Sequence, residues 1–259
     1  MQGVALFYKG GRRLLLAGAL MLSGTLISSA QEKLQPPNGH LVAPAEVVLY
    51  IHPDLKSTDF VQPLVCALQR VLAAPVTTQV LDIPLDSSLR ATPSQFDVGK
   101  VGDRFIRATA TGATPASFKY LFLPYDLKSE PWRYVFATSF GDETTSYHAG
   151  IISTKRLDAS DPAHWHHQGF ELTAQRAYKL VLKSIARLAG LRSPDKCVLA
   201  FPRSLEQLDE KSSEFCPSDH AALVAAGVLK AAESQHGSDC LTISRTTPTS
   251  LHAQMAQAP

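Results

Sequence analysis

The chain has 259 residues, of which 45% are apolar and 8% aromatic, and its 25 basic and 23 acidic residues give a net charge of +2. Three basic residues (Lys9, Arg12 and Arg13) and no acidic ones precede residue 31, so the remainder carries 22 basic and 23 acidic residues. Nothing in this balance indicates nucleic-acid binding, which normally requires a clustered basic surface. The length and apolar content are sufficient for one packed domain.

Residues 1–30 have the composition of a secretory signal peptide. Basic residues come first, an uncharged apolar run extends from Leu14 to Ile27, and small residues follow it. This order predicts export to the periplasm or the medium, with cleavage after Ala30. The run is shorter than the roughly 20 residues that span a bilayer, and an uncleaved membrane anchor is the alternative. Residues 31–45 are predicted to be a linker.

From residue 46 onward, apolar runs of strand length alternate with segments of helical periodicity. The predicted strands are Glu46–Ile51, Val76–Ile83, Tyr120–Leu123, Tyr134–Ala137 and Ala149–Ser153. The predicted helices are Asp59–Ala73, Ser94–Thr109, Thr173–Gly190 and Ser218–Ser234. This order predicts one α/β domain, residues 46–236, with a mixed sheet. Residues 237–259 are rich in Thr, Ser, Gln and Ala and are predicted to be a disordered tail.

The chain has four cysteines, Cys66, Cys197, Cys216 and Cys240. In an exported protein they would enter an oxidising compartment, where disulfides persist. Four cysteines allow three complete pairings, and their spacing alone does not select one of them.

The segment from Cys197 to Ser218 carries the most specific pattern in the chain. It resembles the cysteine-bearing region that follows the active-site helix of archaemetzincins, a family of zinc metallopeptidases. Three upstream segments are similar to the family's strands before that helix: Tyr125–Leu127, Tyr134–Phe136 and Ile151–Leu157. The resemblance covers about Val47–Leu223. It implies a compact metzincin-like fold with an active-site helix, a C-terminal helix and a substrate groove along an edge strand, which we place near Tyr147–Ser153.

In archaemetzincins the active-site helix carries the motif H-E-x-x-H-x-x-G-x-x-H, whose histidines bind Zn²⁺ while the glutamate acts as general base. The resemblance places Lys183, Arg187 and Ser193 at the three histidine positions and Ser184 at the glutamate. Two ligand positions thus carry cations, which repel a divalent metal. No H-E-x-x-H occurs anywhere in the chain, so a shifted alignment restores no site. We therefore expect a pseudo-metalloprotease without zinc or another cofactor, with a peptide or protein bound in the former substrate groove.

The resemblance extends to the family's second metal site, which is built from four cysteines. Cys197 and Cys216 match two of them, whereas Pro194 and Asp219 stand at the other two positions. The resemblance therefore implies a disulfide between Cys197 and Cys216. The alternative is a zinc site in which Asp219 and His220 complete the two cysteines, because these residue types are permissible ligands.

A histidine-rich segment precedes the predicted active-site helix. His164 and His166 have the H-x-H spacing that places two side chains on one side of an extended chain, and His148 is a candidate third ligand. With Glu171 or Glu143 as general base, this set would make an active zinc-dependent metallopeptidase with relocated ligands. A solvated histidine-rich loop is the simpler interpretation.

Lys183 and Arg187 are four residues apart and so lie on one face of the predicted helix. This positive strip continues one to two turns earlier in the helix, at Arg176 and Lys179. We expect Lys183 and Arg187 to bind a carboxylate of an acidic peptide, Arg187 through two hydrogen bonds and Lys183 as a point charge. The alternatives are neutralisation by Asp126 or Glu143 and a plain solvated helix face.

Overall fold

The computed structural model describes residues 40–110, 116–142, 144–157, 169–231 and 240–241. The predicted signal peptide, residues 31–39 of the predicted linker and the segment containing His164 and His166 lie outside these residues. All of the described residues belong to one unit, 37–259.

Strands and helices alternate along the first half of the described chain, and helices predominate in the second half. In chain order the strands are β1 (Glu46–Ile51), β2 (Val76–Val80), β3 (Arg90–Thr92), β4 (Gln95–Asp97), β5 (Ser117–Leu123), β6 (Asp126–Ser129), β7 (Trp132–Val135), β8 (Ala137–Phe140) and β9 (His148–Ser153). The helices are α1 (Val61–Val71), α2 (Val98–Thr109), α3 (Gly169–Leu188), α4 (Leu205–Glu210) and α5 (Pro217–Ala225), with single turns of 3-10 helix at Ser87–Leu89 and Cys197–Leu199.

The larger sheet has five strands in the order β2-β1-β5-β9-β8. The first four are parallel and β8 is antiparallel to β9, so the predicted mixed sheet is confirmed. The prediction that the substrate groove follows an edge strand near Tyr147–Ser153 is wrong, however. These residues form β9, which lies inside the sheet between β5 and β8. Every residue of β9 is buried, which explains its continuous apolar sequence. The edge strand on this side of the sheet is β8.

A second sheet of four short strands, ordered β3-β4-β6-β7, adjoins the first. The single strand predicted at Tyr134–Ala137 is two strands in the structure. β7 ends at Val135 in the second sheet, and β8 begins at Ala137 in the first. The second sheet also shortens the helix predicted from Ser94. Residues 95–97 pair with β6 instead, and the Asp97 carboxylate accepts a hydrogen bond from the Lys100 amide to cap α2.

Helices cover both faces of the larger sheet. α1 and α3 pack on one face with the cluster that contains Phe118 and Ile152, and α2 packs on the other with the cluster that contains Leu121 and Ile151. The alternation of Ile151 and Ile152 between the two clusters follows from the two-residue period of a strand. The sheet therefore holds α3 beneath β8 and β9.

Two glycines with positive φ set the ends of the later helices. Gly190 follows α3 with φ 99°, as the predicted helix end requires. Gly227 has φ 73°, and α5 ends at Ala225, well before the predicted Ser234. The last helix is shorter than predicted because the chain turns at Gly227 and Leu229 then forms a bridge with Leu72.

Both ends of the described chain are attached to the domain. The Val42 amide donates to the Ala189 carbonyl at 2.9 Å, so the end of the predicted linker lies against the residues after α3. Cys240 forms a disulfide with Cys66 of α1, and the Leu241 side chain is buried. At these two residues the prediction of a disordered tail is wrong, because the disulfide fixes them; residues 242–259 are outside the described part.

Within the described ranges, no helix combines the length and the apolar composition needed to cross a bilayer.

Candidate functional site

Helix α3 contacts edge strand β8 through a pair of serines. The Ser184 and Ser139 hydroxyl oxygens are 2.5 Å apart, which is a hydrogen bond between the helix and the strand. Gly150 on β9 makes room for the Tyr120 ring, which would lie 2.5 Å from a Cβ there, whereas the Ser184 hydroxyl would be at an ordinary contact distance of 3.5 Å. At the position that the resemblance assigns to the catalytic glutamate, the protein therefore has a hydroxyl that links α3 to the sheet.

The two cations at Lys183 and Arg187 share one carboxylate, that of Asp195. Arg187 donates to Asp195 at 2.7 Å and to the Leu191 carbonyl at 2.8 Å. The Lys183 ammonium is 3.8 Å from Asp195, too far for a hydrogen bond, and lies 5.0 Å from the centre of the Phe201 ring. Burial lowers the pKa of Lys183, Asp195 opposes this shift and Arg187 adds to it.

The internal partner suggested from the sequence, Asp126 or Glu143, is therefore replaced by Asp195. Asp126 accepts two hydrogen bonds of 2.7 Å from Arg156 and one of 2.9 Å from Gln95. Although partial burial opposes the change, these bonds lower the pKa of Asp126. Glu143 lies outside the described residues. Asp126 thus fixes β6 to neighbouring segments and is not available to α3.

The positive strip expected from Arg176 and Lys179 is not a solvent-facing surface. Both side chains are buried. Arg176 makes two 2.6 Å bonds to Asp209 and a third, of 2.9 Å, to the Leu157 carbonyl. Lys179 donates to the main-chain carbonyls of Leu208 and Asp209 at 2.9 and 2.7 Å. These cations attach α4 to α3, so the expectation that they extend a binding strip is wrong.

A cation missed by the sequence reasoning, Lys211, joins this group from the residue after α4. Its side chain is 8% exposed, and within the described residues its ammonium has no hydrogen-bond partner. Burial, with Lys183 and Lys179 nearby, lowers the pKa of Lys211 to about 7, and Asp195 only partly opposes the shift. Nothing in the local sequence distinguishes Lys211 from a surface lysine.

Ser193 and the two cysteines form a separate structural group. Ser193 donates to the Asp219 carboxylate at 2.5 Å, and Cys197 and Cys216 form the expected disulfide. Because both sulfurs are in that bond, the alternative zinc site with Asp219 and His220 does not form. The disulfide closes the segment between α3 and α5 into a covalent loop.

The remaining candidate ligands are not assembled into a metal site in the described structure. His148 is buried at the start of β9, and its ring stacks on Phe118 with the centroids 4.4 Å apart. His164 and His166 are outside the described residues. Elsewhere, the residues with assigned positions contain no cluster of three or more His, Cys, Asp or Glu side chains arranged to hold a metal ion.

Phe201, which lies beside Lys183, packs against a second exposed aromatic side chain, Trp132. Trp132 on β7 and Phe201 are 44% and 47% exposed, and their ring centroids are 5.3 Å apart. The neighbouring Tyr134 hydroxyl donates to the Arg203 carbonyl at 3.2 Å, which holds the loop containing Phe201 against β7. The surface thus combines cations on α3 with an apolar flank.

Comparison with known proteins identifies the fold. No protein-family model matches the chain, and no curated protein is significantly similar to it. The crystal structure of archaemetzincin from Methanopyrus kandleri matches with a TM-score of 0.53 and 17% identity, covering 73% of this chain and 97% of that chain. The chain has the archaemetzincin fold. A zinc-dependent peptidase from Methanocorpusculum labreanum also has this fold, with a TM-score of 0.52 and 20% identity, covering 68% of this chain and 99% of that chain.

The residues on α3 do not fit the zinc that the archaemetzincin fold implies. A zinc ligand must offer a lone pair. The Lys183 ammonium, which lies beside the Asp195 carboxylate, and the Arg187 guanidinium, which donates two hydrogen bonds, offer none. The Ser193 hydroxyl is engaged by Asp219. No catalytic step through a metal can be derived for these side chains.

Proposed function

We propose that this chain is an exported, non-catalytic peptide-binding protein built on the archaemetzincin fold. One observation carries the proposal: Ser184 and Arg187 are hydrogen-bonded to Ser139, Leu191 and Asp195, and the Lys183 ammonium lies 3.8 Å from Asp195, so none of the three side chains is arranged as a zinc ligand. Zinc catalysis needs three fixed ligands and an open coordination position, and these side chains offer neither.

Edge strand β8 is the element best suited to hold a peptide. The Ser153 amide donates to the Phe136 carbonyl, so the alternating antiparallel ladder directs the main chain of Thr138 and Phe140 toward β9. The amides and carbonyls of Ala137 and Ser139 then face away from the sheet. An extended peptide would pair with these groups as an additional strand, a common mode of peptide recognition.

The N-terminal sequence and the disulfides support export. Basic residues followed by an apolar run are typical of a signal peptide, and Cys66–Cys240 and Cys197–Cys216 are bonds that persist in oxidising compartments. The periplasm and the medium both meet this condition.

The first test measures metal content and cleavage in the exported protein, purified without a histidine tag. We expect less than one zinc per ten chains by mass spectrometry, and no chelator-sensitive cleavage of casein. One tightly bound zinc per chain, with cleavage abolished by His164→Ala or His166→Ala, would instead establish the relocated metallopeptidase site.

The second test addresses peptide binding along β8. Ala137→Pro removes an outward amide while leaving the ladder to β9 intact, and Ala137→Ser is the matched control that keeps the amide. A library of extended peptides is screened by thermal shift against both variants. The proposal requires peptides that stabilise the wild type and Ala137→Ser but not Ala137→Pro, and equal behaviour of the two variants contradicts it.

A further inference from the structure

The ammonium of Lys211 lacks the partners that buried cations in this protein otherwise have. Lys211 is the residue after α4, where its amide donates to the Gln207 carbonyl at 3.0 Å. Its side chain is 92% buried, and its nitrogen has no hydrogen-bond partner in the described part of the chain. Since an unpaired buried charge is strongly unfavourable, this lysine is poorly explained by structure alone.

The groups around Lys211 leave the local charge positive. Lys179, one turn before Lys183 on α3, donates to the Asp209 carbonyl two residues before Lys211. Lys179, Lys183 and Asp195 are all close enough to shift the pKa of Lys211, the lysines downward and the carboxylate upward. Lys179 donates to two carbonyls of α4, and Asp195 makes its short contact with Arg187. Lys183 is left at 3.8 Å from the same carboxylate. Two ammonium groups, Lys183 and Lys211, therefore retain donors that a single anion would satisfy.

We propose that Lys183 and Lys211 form a binding site for one carboxylate of the peptide that lies along β8. This inference rests on the proposed peptide-binding function and names the ligand chemistry at the same surface. Arg187, which the sequence paired with Lys183, is already bonded to Asp195, so Lys211 replaces it as the second donor. A carboxylate placed between the two lysines accepts charge-assisted hydrogen bonds from both, which offsets the cost of burying them.

The aromatic side chains next to this site favour a ligand that has an apolar group close to its carboxylate. The Phe201 ring lies beside the Lys183 ammonium and contacts the Trp132 ring, and both aromatic side chains are about half exposed. A ligand that carries an aromatic ring beside its carboxylate, on the same residue or on the next one, would place that ring on Phe201. The expected ligand is a peptide with a C-terminal aromatic residue, or with an acidic residue next to an aromatic one.

The test uses small probes so that the carboxylate site is measured separately from strand pairing. 3-Phenylpropionate presents a carboxylate and a ring, and its primary amide has the same shape without the charge. Isothermal titration of the exported protein should give a dissociation constant on the order of 1 mM for the acid, as befits a ligand of this size, and no measurable binding of the amide.

Three variants locate the bound probe. Lys211→Met and Lys183→Met should each weaken binding of 3-phenylpropionate by roughly tenfold or more, because each removes a charged hydrogen bond. Lys100→Met on α2, across the sheet, makes the same charge change and should leave binding unaltered. Melting temperatures check that each variant is folded, and if one lysine variant does not fold, the other decides.

Each further outcome has one meaning. Equal binding of acid and amide, or an undiminished affinity in both lysine variants, overturns the carboxylate site. Tighter binding of phenyl phosphate than of the carboxylate also overturns it, in favour of a phosphate ligand. If 3-phenylpropionate binds nowhere while extended peptides still require the Ala137 amide, this inference fails and the proposed function stands.

If the probe binds as expected, two peptide pairs identify the source of the carboxylate. A peptide ending in phenylalanine is compared with its C-terminal amide, and an amidated peptide containing Glu-Phe is compared with its Gln-Phe counterpart. Discrimination within either pair supports the carboxylate site and assigns the source. Equal affinities within both pairs contradict the site as a peptide subsite.

Discussion

The row of four cations on α3 is held differently in its first half, Arg176 and Lys179, and in its second half, Lys183 and Arg187. In the first half, Arg176 and Lys179 make five hydrogen bonds or ion-pair contacts with Asp209 and the main chain. In the second half, Lys183 and Arg187, together with Lys211 from outside the helix, face one carboxylate, Asp195. The first arrangement is complete and attaches α4 to α3. The second has more donors than acceptors, so we assign the first half to structure and the second to binding.

The largest change in stability should come from removing an ion-pair partner in the complete half. Asp209→Ala leaves the buried Arg176 guanidinium without its carboxylate, which should lower the free energy of unfolding by about 3 to 5 kcal/mol. Urea denaturation measures this change. Glu130→Ala, which breaks the exposed pair with Lys128, is the control and should cost at most about 1 kcal/mol. Equal losses in the two variants would mean that Arg176 finds another acceptor.

The next largest effect concerns the covalent loop that carries partners of both halves. The Cys197–Cys216 bond spans 19 residues that include Asp209 and Lys211. Replacing both cysteines with serine should destabilise the protein by roughly 3 kcal/mol through the added freedom of the unfolded chain. Differential scanning calorimetry of the double variant checks this value. A loss below about 1 kcal/mol would indicate that the contacts of α4 with α3 fix the loop without the bond.

In the incomplete half, removing a cation should raise the free energy of unfolding instead of lowering it. Lys211→Met replaces a buried ammonium by an apolar group of similar length and should stabilise the ligand-free protein by about 1 to 4 kcal/mol at pH 6. The same urea titration provides the measurement, with Lys100→Met as the control for loss of one charge. Clear destabilisation by Lys211→Met would show that Lys211 has a structural partner, and the contrast between the two halves would disappear.

The stabilisation by Lys211→Met should also depend on pH. The pKa of Lys211 is about 7 in the folded protein against 10.5 for an ordinary lysine. Between these values the unfolded chain binds a proton that the folded chain does not, so wild-type stability rises with pH. The advantage of Lys211→Met should therefore be largest below pH 7 and shrink by about 1 kcal/mol per pH unit above it. An advantage that is constant from pH 6 to pH 9 would exclude a depressed pKa.

The sequence predicted features that depend on local periodicity or on a specific pattern. The central strands, the long helix and its end at Gly190 follow from apolar spacing and glycine chemistry. The disulfide between Cys197 and Cys216 followed from the family resemblance. Helical spacing also placed Lys183 and Arg187 on one face, where they do share a partner.

Partners that come from distant segments could not be predicted in this way. Asp195 lies beyond the end of α3, and Asp209 is 33 residues from Arg176, so helical spacing suggests neither. The edge position of β8 depends on strand order, which the local sequence does not encode. Lys211 has no local signature because its burial results from the packing of α4 against α3.

Under the proposed function, the loop closed by Cys197 and Cys216 carries groups that recognise a ligand, whereas its anchors maintain the fold. Phe201 and Lys211 both lie inside it, while the bond and the Arg176–Asp209 pair fix its position on α3. The exposed residues of the loop that touch neither anchor are therefore free to vary, unlike Val198, Leu199 and Leu208, which belong to the hydrophobic core. Exchanging these exposed residues would redirect recognition while leaving the scaffold intact, much as hypervariable loops diversify on a constant framework.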